Sequence, residues 1–324
     1  MFETVEDVQK GLEKQGYICD RRIATVVYLA LKLEKPVLVE GPAGVGKTEL
    51  AKVVAKASGR PLIRLQCYEG LDEAKALYEW EYSKQLLYTQ ILKEKISEVM
   101  EGTKSLREAA ERVGQQDSVF FSEQFIVSRP LLHAITSKEP TALLIDEVDK
   151  SDPEFEAFLL EVLSDFQVTV PEIGTFEAVT RPVVFLTSND AREMSDALKR
   201  RCLHLWIDYP DEEVERKILE VKVPGMDTKL AADVVSLMQK LRGLDLKKTP
   251  SISETIDWAR ALLALNASSL DEDLVKDTMS VILKYEADIR KAQQELSRMM
   301  TKATPPPGAA PGAPVPPRKK GTLH

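Results

Sequence analysis

Gly41-Pro42-Ala43-Gly44-Val45-Gly46-Lys47-Thr48 fits the pattern G-x-x-x-x-G-K-[ST]. The pattern alone occurs by chance, so its flanks decide the reading. Before it, Pro36-Val37-Leu38-Val39-Glu40 is a short apolar run of buried-strand type; after it, Glu49-Leu50-Ala51-Lys52-Val53-Val54-Ala55-Lys56 is a good helix former with apolar residues at helical spacing. Strand, glycine loop and helix together suit the wrapping of a phosphate chain. Glycines let the backbone close in without Cβ clashes, and amides at the helix N-terminus point at the anion with the favourable end of the dipole. In such a loop Lys47 reaches the β- and γ-phosphates and the Thr48 hydroxyl takes Mg2+.

On the N-terminal side, residues 5–14 read as a short helix, Gly16-Tyr17-Ile18 breaks it, and Asp20 caps a second helix to about Leu33 that packs near the bound base. Downstream, Ser58-Gly59-Arg60-Pro61 is a turn and residues 61–67 are the next strand, so the order strand, helix, strand predicts a parallel α/β sheet. From Leu71 to about Gln116 the rhythm changes. Residues 71–92 read as a long charged helical stretch carrying Tyr78, Trp80, Tyr82 and Tyr88, aromatics whose helical spacing favours packing over a binding face. A further helix fits 105–113 and a loop 114–117, and the whole reads as a helical insert.

The α/β rhythm resumes near residue 128, with a helix over 129–135 and a fully apolar strand over 141–145 ending in Asp146-Glu147. Ser151 or Asp152 caps the next helix, Pro153 takes its first position, and Phe155, Phe158, Leu159, Val162, Leu163 and Phe166 form its apolar stripe. Residues 167–170 and 175–179 alternate around Pro171-Glu172-Ile173-Gly174, a β-hairpin signal. A buried strand over 181–187 ends at Ser188-Asn189, a short helix over 194–199 runs into Arg200-Arg201, and residues 202–207 are one more strand. After Pro210 only helices are expected, over 211–222, 228–241, 252–265 and 271–300. The stretch 304–324 is proline, alanine and glycine closed by Arg318-Lys319-Lys320, unable to build a core.

The 324 residues suffice for two domains, with 44% apolar and 30% charged content expected of a soluble globular chain. No apolar run is long enough to span a membrane, and the acidic start Met1-Phe2-Glu3-Thr4-Val5-Glu6-Asp7 lacks signal-peptide features. Cys19, Cys67 and Cys202 are scattered and odd in number, which points to a reducing cytoplasm, and His133, His204 and His324 make no zinc spacing with them. The net charge is −8, where a dedicated duplex-binding protein shows a basic excess.

Asp146-Glu147 at a strand end is the second nucleotide signal: one carboxylate holds the Mg2+ shell, the other orients the attacking water. Asn189, at the end of the following buried strand, suits water placement near a γ-phosphate. With these features the chain resembles the AAA+ ATPases. Gly41–Thr48 is similar to Walker A, Leu143-Leu144-Ile145-Asp146-Glu147 to Walker B, Asn189 stands at the sensor 1 position, and Arg200-Arg201 at the arginine-finger position. Within AAA+, the insert and the hairpin resemble the helix-2-insert clade. The MoxR family is the nearest match, and Cys67-Tyr68-Glu69-Gly70-Leu71-Asp72 through Tyr88-Thr89-Gln90 resembles its CoxD-like branch. The lid helix departs from the family pattern: Thr249-Pro250-Ser251-Ile252-Ser253-Glu254-Thr255 holds no sensor 2 arginine, the nearest basic residues being Lys247, Lys248 and Arg260.

The resemblance implies a P-loop AAA+ three-layer α/β core with a parallel sheet over 17–209, a helical insert over 71–116, a β-hairpin over 167–180 and a small all-α lid over 210–303. It places a helix at 1–16 ahead of the core and a disordered tail at 304–324 behind the lid. The implied nucleotide contacts are Gly41, Pro42, Ala43, Gly44, Val45, Gly46, Lys47, Thr48 and Glu49, with Tyr17 and Ile18 at the base. Thr48 and Asp146 take the metal, Glu147 is the catalytic base, Asn189 assists it, and Arg201 with Arg200 beside it acts on a neighbour's nucleotide. ATP and Mg2+ are the implied cofactors. The implied assembly is a homo-oligomeric, hexameric ring in the cytoplasm, working with a von Willebrand A-domain protein to mature a metalloenzyme such as a molybdenum hydroxylase of the carbon monoxide dehydrogenase type. A nucleic-acid motor or helicase loader is the alternative that the acidic charge disfavours. A nucleotide-gated scaffold is disfavoured by the intact Glu147, and a small-molecule kinase by the insert and helical region.

Overall fold

In the computed structural model, residues 2–91, 125–171 and 173–300 are described. The helix expected at 105–113, the loop at 114–117, Glu172 in the hairpin turn and the proline-rich 304–324 lie outside the described residues. In chain order the strands are β1 (Val37–Glu40), β2 (Leu62–Gln66), β3 (Tyr78–Trp80), β4 (Ile126–Ser128), β5 (Ala142–Asp146), β6 (Gln167–Val170), β7 (Gly174–Glu177), β8 (Val183–Ser188) and β9 (Leu203–Trp206). Five of them form one parallel sheet in the order β2-β5-β8-β1-β9.

Successive side chains on a strand point to opposite faces, and the inner strands are apolar on both. Leu38, Leu143, Ile145 and Leu186 pack on one side with Leu131, Leu132, Phe155 and Leu159, from the helices Pro130–Thr136 and Pro153–Asp165. Val37, Val39, Leu144 and Phe185 pack on the other with Val8, Val27, Leu50 and Val54, from the helices Val5–Lys14, Arg21–Leu33 and Lys47–Ala57. Two helical layers around an all-parallel sheet are the three-layer α/β core expected from the strand–helix alternation. Asp20 accepts from the Ile23 amide as expected, whereas Asp152 takes the N-cap position before Pro153 without a side-chain hydrogen bond to the helix.

Two expectations are corrected. Residues 71–92 do not form one long helix: a short helix, Glu73–Leu77, runs directly into β3, and a second helix, Tyr82–Ile91, follows. β3 pairs antiparallel with β4, Tyr78 opposite Ser128 and Trp80 opposite Ile126. Tyr78-Glu79-Trp80-Glu81 alternates aromatic and charged residues, a strand period realised by a partner far along the chain. Tyr78 and Trp80 meet edge to face at 6.2 Å and Tyr88 meets Phe125 at 5.4 Å, so these aromatics pack, whereas Tyr82 is 71% exposed. Residues 271–300 likewise divide into Glu272–Ile282 and Glu286–Met300, with an extended Leu283 between. The break lets Val275, Met279 and Ile282 on one helix and Ala292, Leu296 and Met299 on the other reach the same core. The hairpin is present as β6 and β7, with Val168 opposite Phe176.

The C-terminal region is helical: Glu212–Lys222, Thr228–Arg242, Ile252–Ala264 and the two helices just named enclose Leu219, Val234, Met238, Trp258 and Leu262. Trp258 is fully buried, with its Nε1 donating to Thr278 Oγ1 at 2.8 Å. Near the entry of this region lies a buried charge pair. Arg242 donates to both carboxylate oxygens of Glu215 at 2.5 and 2.6 Å, and Thr255 Oγ1 and Gln239 Nε2 complete the coordination at 2.7 and 2.8 Å. Arg242 also donates to the Pro250 carbonyl and lies 5.0 Å over the Tyr209 ring, while Gln239 donates to the Pro210 carbonyl. Among the described residues no helix is long and apolar enough to cross a membrane.

Candidate active site

Parallel strands bring their C-terminal ends to one edge of the sheet, and β1 stands where the strand order reverses, the place where open α/β sheets hold ligands. The loop from Gly41 to Gly46 leaves β1 there and enters the helix Lys47–Ala57. Two glycines are obligatory for stated reasons. Gly41 has φ +144°, and a Cβ on it would lie 1.9 Å from the Ile207 carbonyl oxygen; Gly44 has φ +74°, and a Cβ would lie 2.1 Å from Ser251 Oγ. The loop is thus pressed against the end of β9 on one side and the helical region on the other. Lys47 is buried and donates to the carbonyls of Gly41 and Pro42 at 2.7 and 2.6 Å. Burial lowers its pKa to about 8, against the opposing pull of Asp149, Asp146 and Glu147.

Asp146 ends β5 in register with Gln66 of β2. Its Oδ1 accepts from Thr48 Oγ1 at 2.8 Å and from Thr187 Oγ1 at 2.6 Å, and its Oδ2 accepts from Arg64 Nε and Nη2 at 3.1 and 2.5 Å. Burial pushes the carboxyl pKa up, but the hydrogen bonds from Thr187, Thr48 and Arg64 and the Arg64 charge outweigh it, so the net shift is downward. Glu147 follows in a left-handed conformation, φ 57°, with its amide donating to Thr187 Oγ1 at 2.9 Å. Its carboxylate takes Gln66 Nε2 at 2.8 Å, Lys150 Nζ at 2.6 Å and Asn189 Nδ2 at 3.4 Å. Asp149 Oδ2 accepts the amides of Asn189 and Ala191, each at 3.0 Å, which ties the end of β8 to the turn after β5.

The fold therefore gathers Lys47, Thr48, Asp146, Glu147 and Asn189 from three strand ends. Tyr17 and Ile18 lie with the loop along a cleft of ≈ 880 Å³ that also takes in Ile207 and Ile252, between the core and the helical region. Tyr17 is buried against Gly46, and burial raises its hydroxyl pKa. Glu49 lines the cleft and pairs with Lys222 of the helical region at 3.0 Å. Arg200 and Arg201 are exposed and do not join the loop of their own chain; Arg201 donates through Nε to Ser164 at 2.5 Å. Arg64, Gln66, Lys150, Asp149 and Thr187 were not among the residues expected here. Arg64 and Gln66 alternate with Leu65 on a strand, so polar residues on one face of that strand end were a signal present in the sequence.

The family described as "AAA domain (dynein-related subfamily)" matches residues 36–202, from just before β1 to just after Arg201. The chain belongs to this family and carries an AAA+ ATPase domain. Uncharacterized proteins of Staphylococcus aureus strains NCTC 8325 / PS 47 and COL are 29% identical over 240 residues, covering 72% of this chain and 77% of theirs. Among solved structures, a RuvB mutant from Thermotoga maritima is 18% identical with a TM-score of 0.50, covering 90% of this chain and 81% of that one. The Thermotoga maritima RuvB Holliday junction branch migration motor is 16% identical with a TM-score of 0.46, covering 90% and 77%. At 18% identity the likeness to the RuvB mutant shows the fold alone.

Proposed function

We propose that this chain binds ATP with Mg2+ in the cleft and hydrolyses it, and that it does so as a MoxR-type AAA+ ATPase of the CoxD-like branch. The observation that carries the hydrolytic reading is the convergence of Lys47, Thr48, Asp146, Glu147 and Asn189 at the C-terminal edge of the sheet. Lys47 supplies the cation for the β- and γ-phosphates, and the loop amides supply donors. Tyr17 and Ile18 flank the base, and the helical region over 210–303 acts as the lid. Glu147 accepts the proton of the attacking water, with Asn189 fixing that water beside the γ-phosphate.

The donor set fits Mg2+. Mg2+ takes oxygen ligands and is held by one or two carboxylates together with substrate phosphates. Thr48 and Asp146, hard oxygen donors 2.8 Å apart, would hold it. When bound, the ion neutralises charge developing on the phosphate oxygens.

Arg201, with Arg200 beside it, is free of its own loop and serves a neighbouring copy in a homo-oligomeric, hexameric ring. By family resemblance the work done is maturation of a metalloenzyme in the cytoplasm with a von Willebrand A-domain partner. A nucleic-acid motor is the other reading, and the net charge of −8 opposes it.

The test is paired. Glu147→Gln is expected to keep ATP binding and lose turnover by about 10²–10⁴-fold, as for removal of a general base; Lys47→Ala is expected to lose binding. Near-normal hydrolysis by Glu147→Gln rejects Glu147 as the base. Purifying Glu147→Gln from its source in ATP is expected to retain the client and the A-domain protein, and recovery of nucleic acid in their place favours the motor.

A further inference from the structure

Asp146 is 2% exposed, and both of its oxygens are engaged. The Oδ1 side is held by two hydroxyls on rigid elements, Thr48 in the first turn of its helix and Thr187 within β8. Among the described residues the Oδ2 side is held only by Arg64, whose side chain is 46% exposed on the edge strand β2. A buried carboxylate must keep a counter-charge. Arg64 provides it, and of the three partners it alone can swing its head into water without breaking a helix or strand.

Arg64 is also joined to the second carboxylate. Its Nη2 donates to Gln66 Oε1 at 2.5 Å, and Gln66 Nε2 donates to Glu147 Oε2 at 2.8 Å. Asp146, Arg64, Gln66 and Glu147 form one hydrogen-bonded line along the sheet edge.

We propose that Arg64 is the displaceable counter-ion of Asp146: a divalent cation arriving with the nucleotide competes with it for the carboxylate. The inference rests on the assignment of Thr48 and Asp146 to the cation. Arg64 is a positioning residue here, setting the cation concentration at which the site fills. Two positive charges at one carboxylate repel, so removing the guanidinium strengthens cation binding. A merely structural arginine would have the opposite effect, since its loss leaves Asp146 less well placed.

The experiment measures the affinity of the full chain for a fluorescent ADP as Mg2+ is titrated, in the wild type, Arg64→Gln and Arg64→Lys. The expected result is a half-saturating Mg2+ concentration about tenfold lower in Arg64→Gln, the scale of a nearby unit charge acting on a dication through water-like screening. Arg64→Lys keeps the charge but loses the two-donor fork, so its midpoint falls between the other two. It carries the test by itself if thermal melting shows that Arg64→Gln does not fold. An unchanged or raised midpoint in the folded variants, with a normal Mg2+ response in the wild type, overturns the counter-ion role and leaves the nucleotide site standing. A wild type that binds the nucleotide with no response to Mg2+ overturns the cation assignment and the proposal together.

Discussion

Lys47 is 5% exposed among loop carbonyls, and its pKa is lowered to about 8. A base whose folded pKa lies below its ordinary 10.5 binds protons more tightly in the unfolded chain. Stability therefore rises with pH between about 8 and 10.5, and the penalty for keeping the lysine charged is fully present below about 8. Urea denaturation of wild type and Lys47→Met across that window should shift the difference in the wild type's favour as pH rises; a constant difference rejects the lowered pKa. Nucleotide phosphates restore the charge, so ATP binding near pH 8–9 takes up a proton, seen in calorimetry as a dependence of enthalpy on the buffer's ionisation heat. Thr187 is the second residue with a measurable burden. Its hydroxyl donates to Asp146 and accepts from the Glu147 amide. Thr187→Val leaves both partners short and should cost about 1–3 kcal/mol, with Thr187→Ser recovering most of it.

Among the elements, the loop after β1 was the most legible in the sequence, because strand, glycines and helix are contiguous and each signal is local. What Gly41 presses against was not legible. The Ile207 carbonyl lies far along the chain, and only the parallel pairing of β1 with β9 brings it to 1.9 Å from a Cβ at position 41. Gly41→Ala should therefore weaken the β1–β9 edge by at least about 2 kcal/mol, from backbone collision and an unfavourable φ together, and chemical denaturation of the purified variant checks this. The strands β3 and β4 were missed for a related reason. Their pairing joins residues far apart in the chain, and the residues around them read as helix until the partner is known. The inner strands were readable because both faces are apolar, while Arg64 and Gln66 on the edge strand looked like ordinary surface residues until Asp146 and Glu147 stood beside them.

Across the whole molecule, the Arg242–Glu215 pair decides how the helical region is built. The two side chains are 7% and 0% exposed, and removing one leaves the other charged and unpaired. Arg242→Met should destabilise the region by about 3–5 kcal/mol, read from the fluorescence of buried Trp258 during denaturation, and a Glu215→Gln/Arg242→Met double variant should regain part of that loss. The same pair has a consequence for movement. The Ile207 amide is sewn to the sheet through the Glu40 carbonyl, and the Tyr209 ring and Pro210 carbonyl are gripped by Arg242 and Gln239. Asp208 stands between the amide held by the sheet and the ring held by Arg242, and that ring also packs against the core side chains around Ile207 and Ile252. A swing of the helical region over the cleft is therefore expected to bend the chain at Asp208 while the Tyr209 ring slides against the core, a joint with a bearing surface of its own.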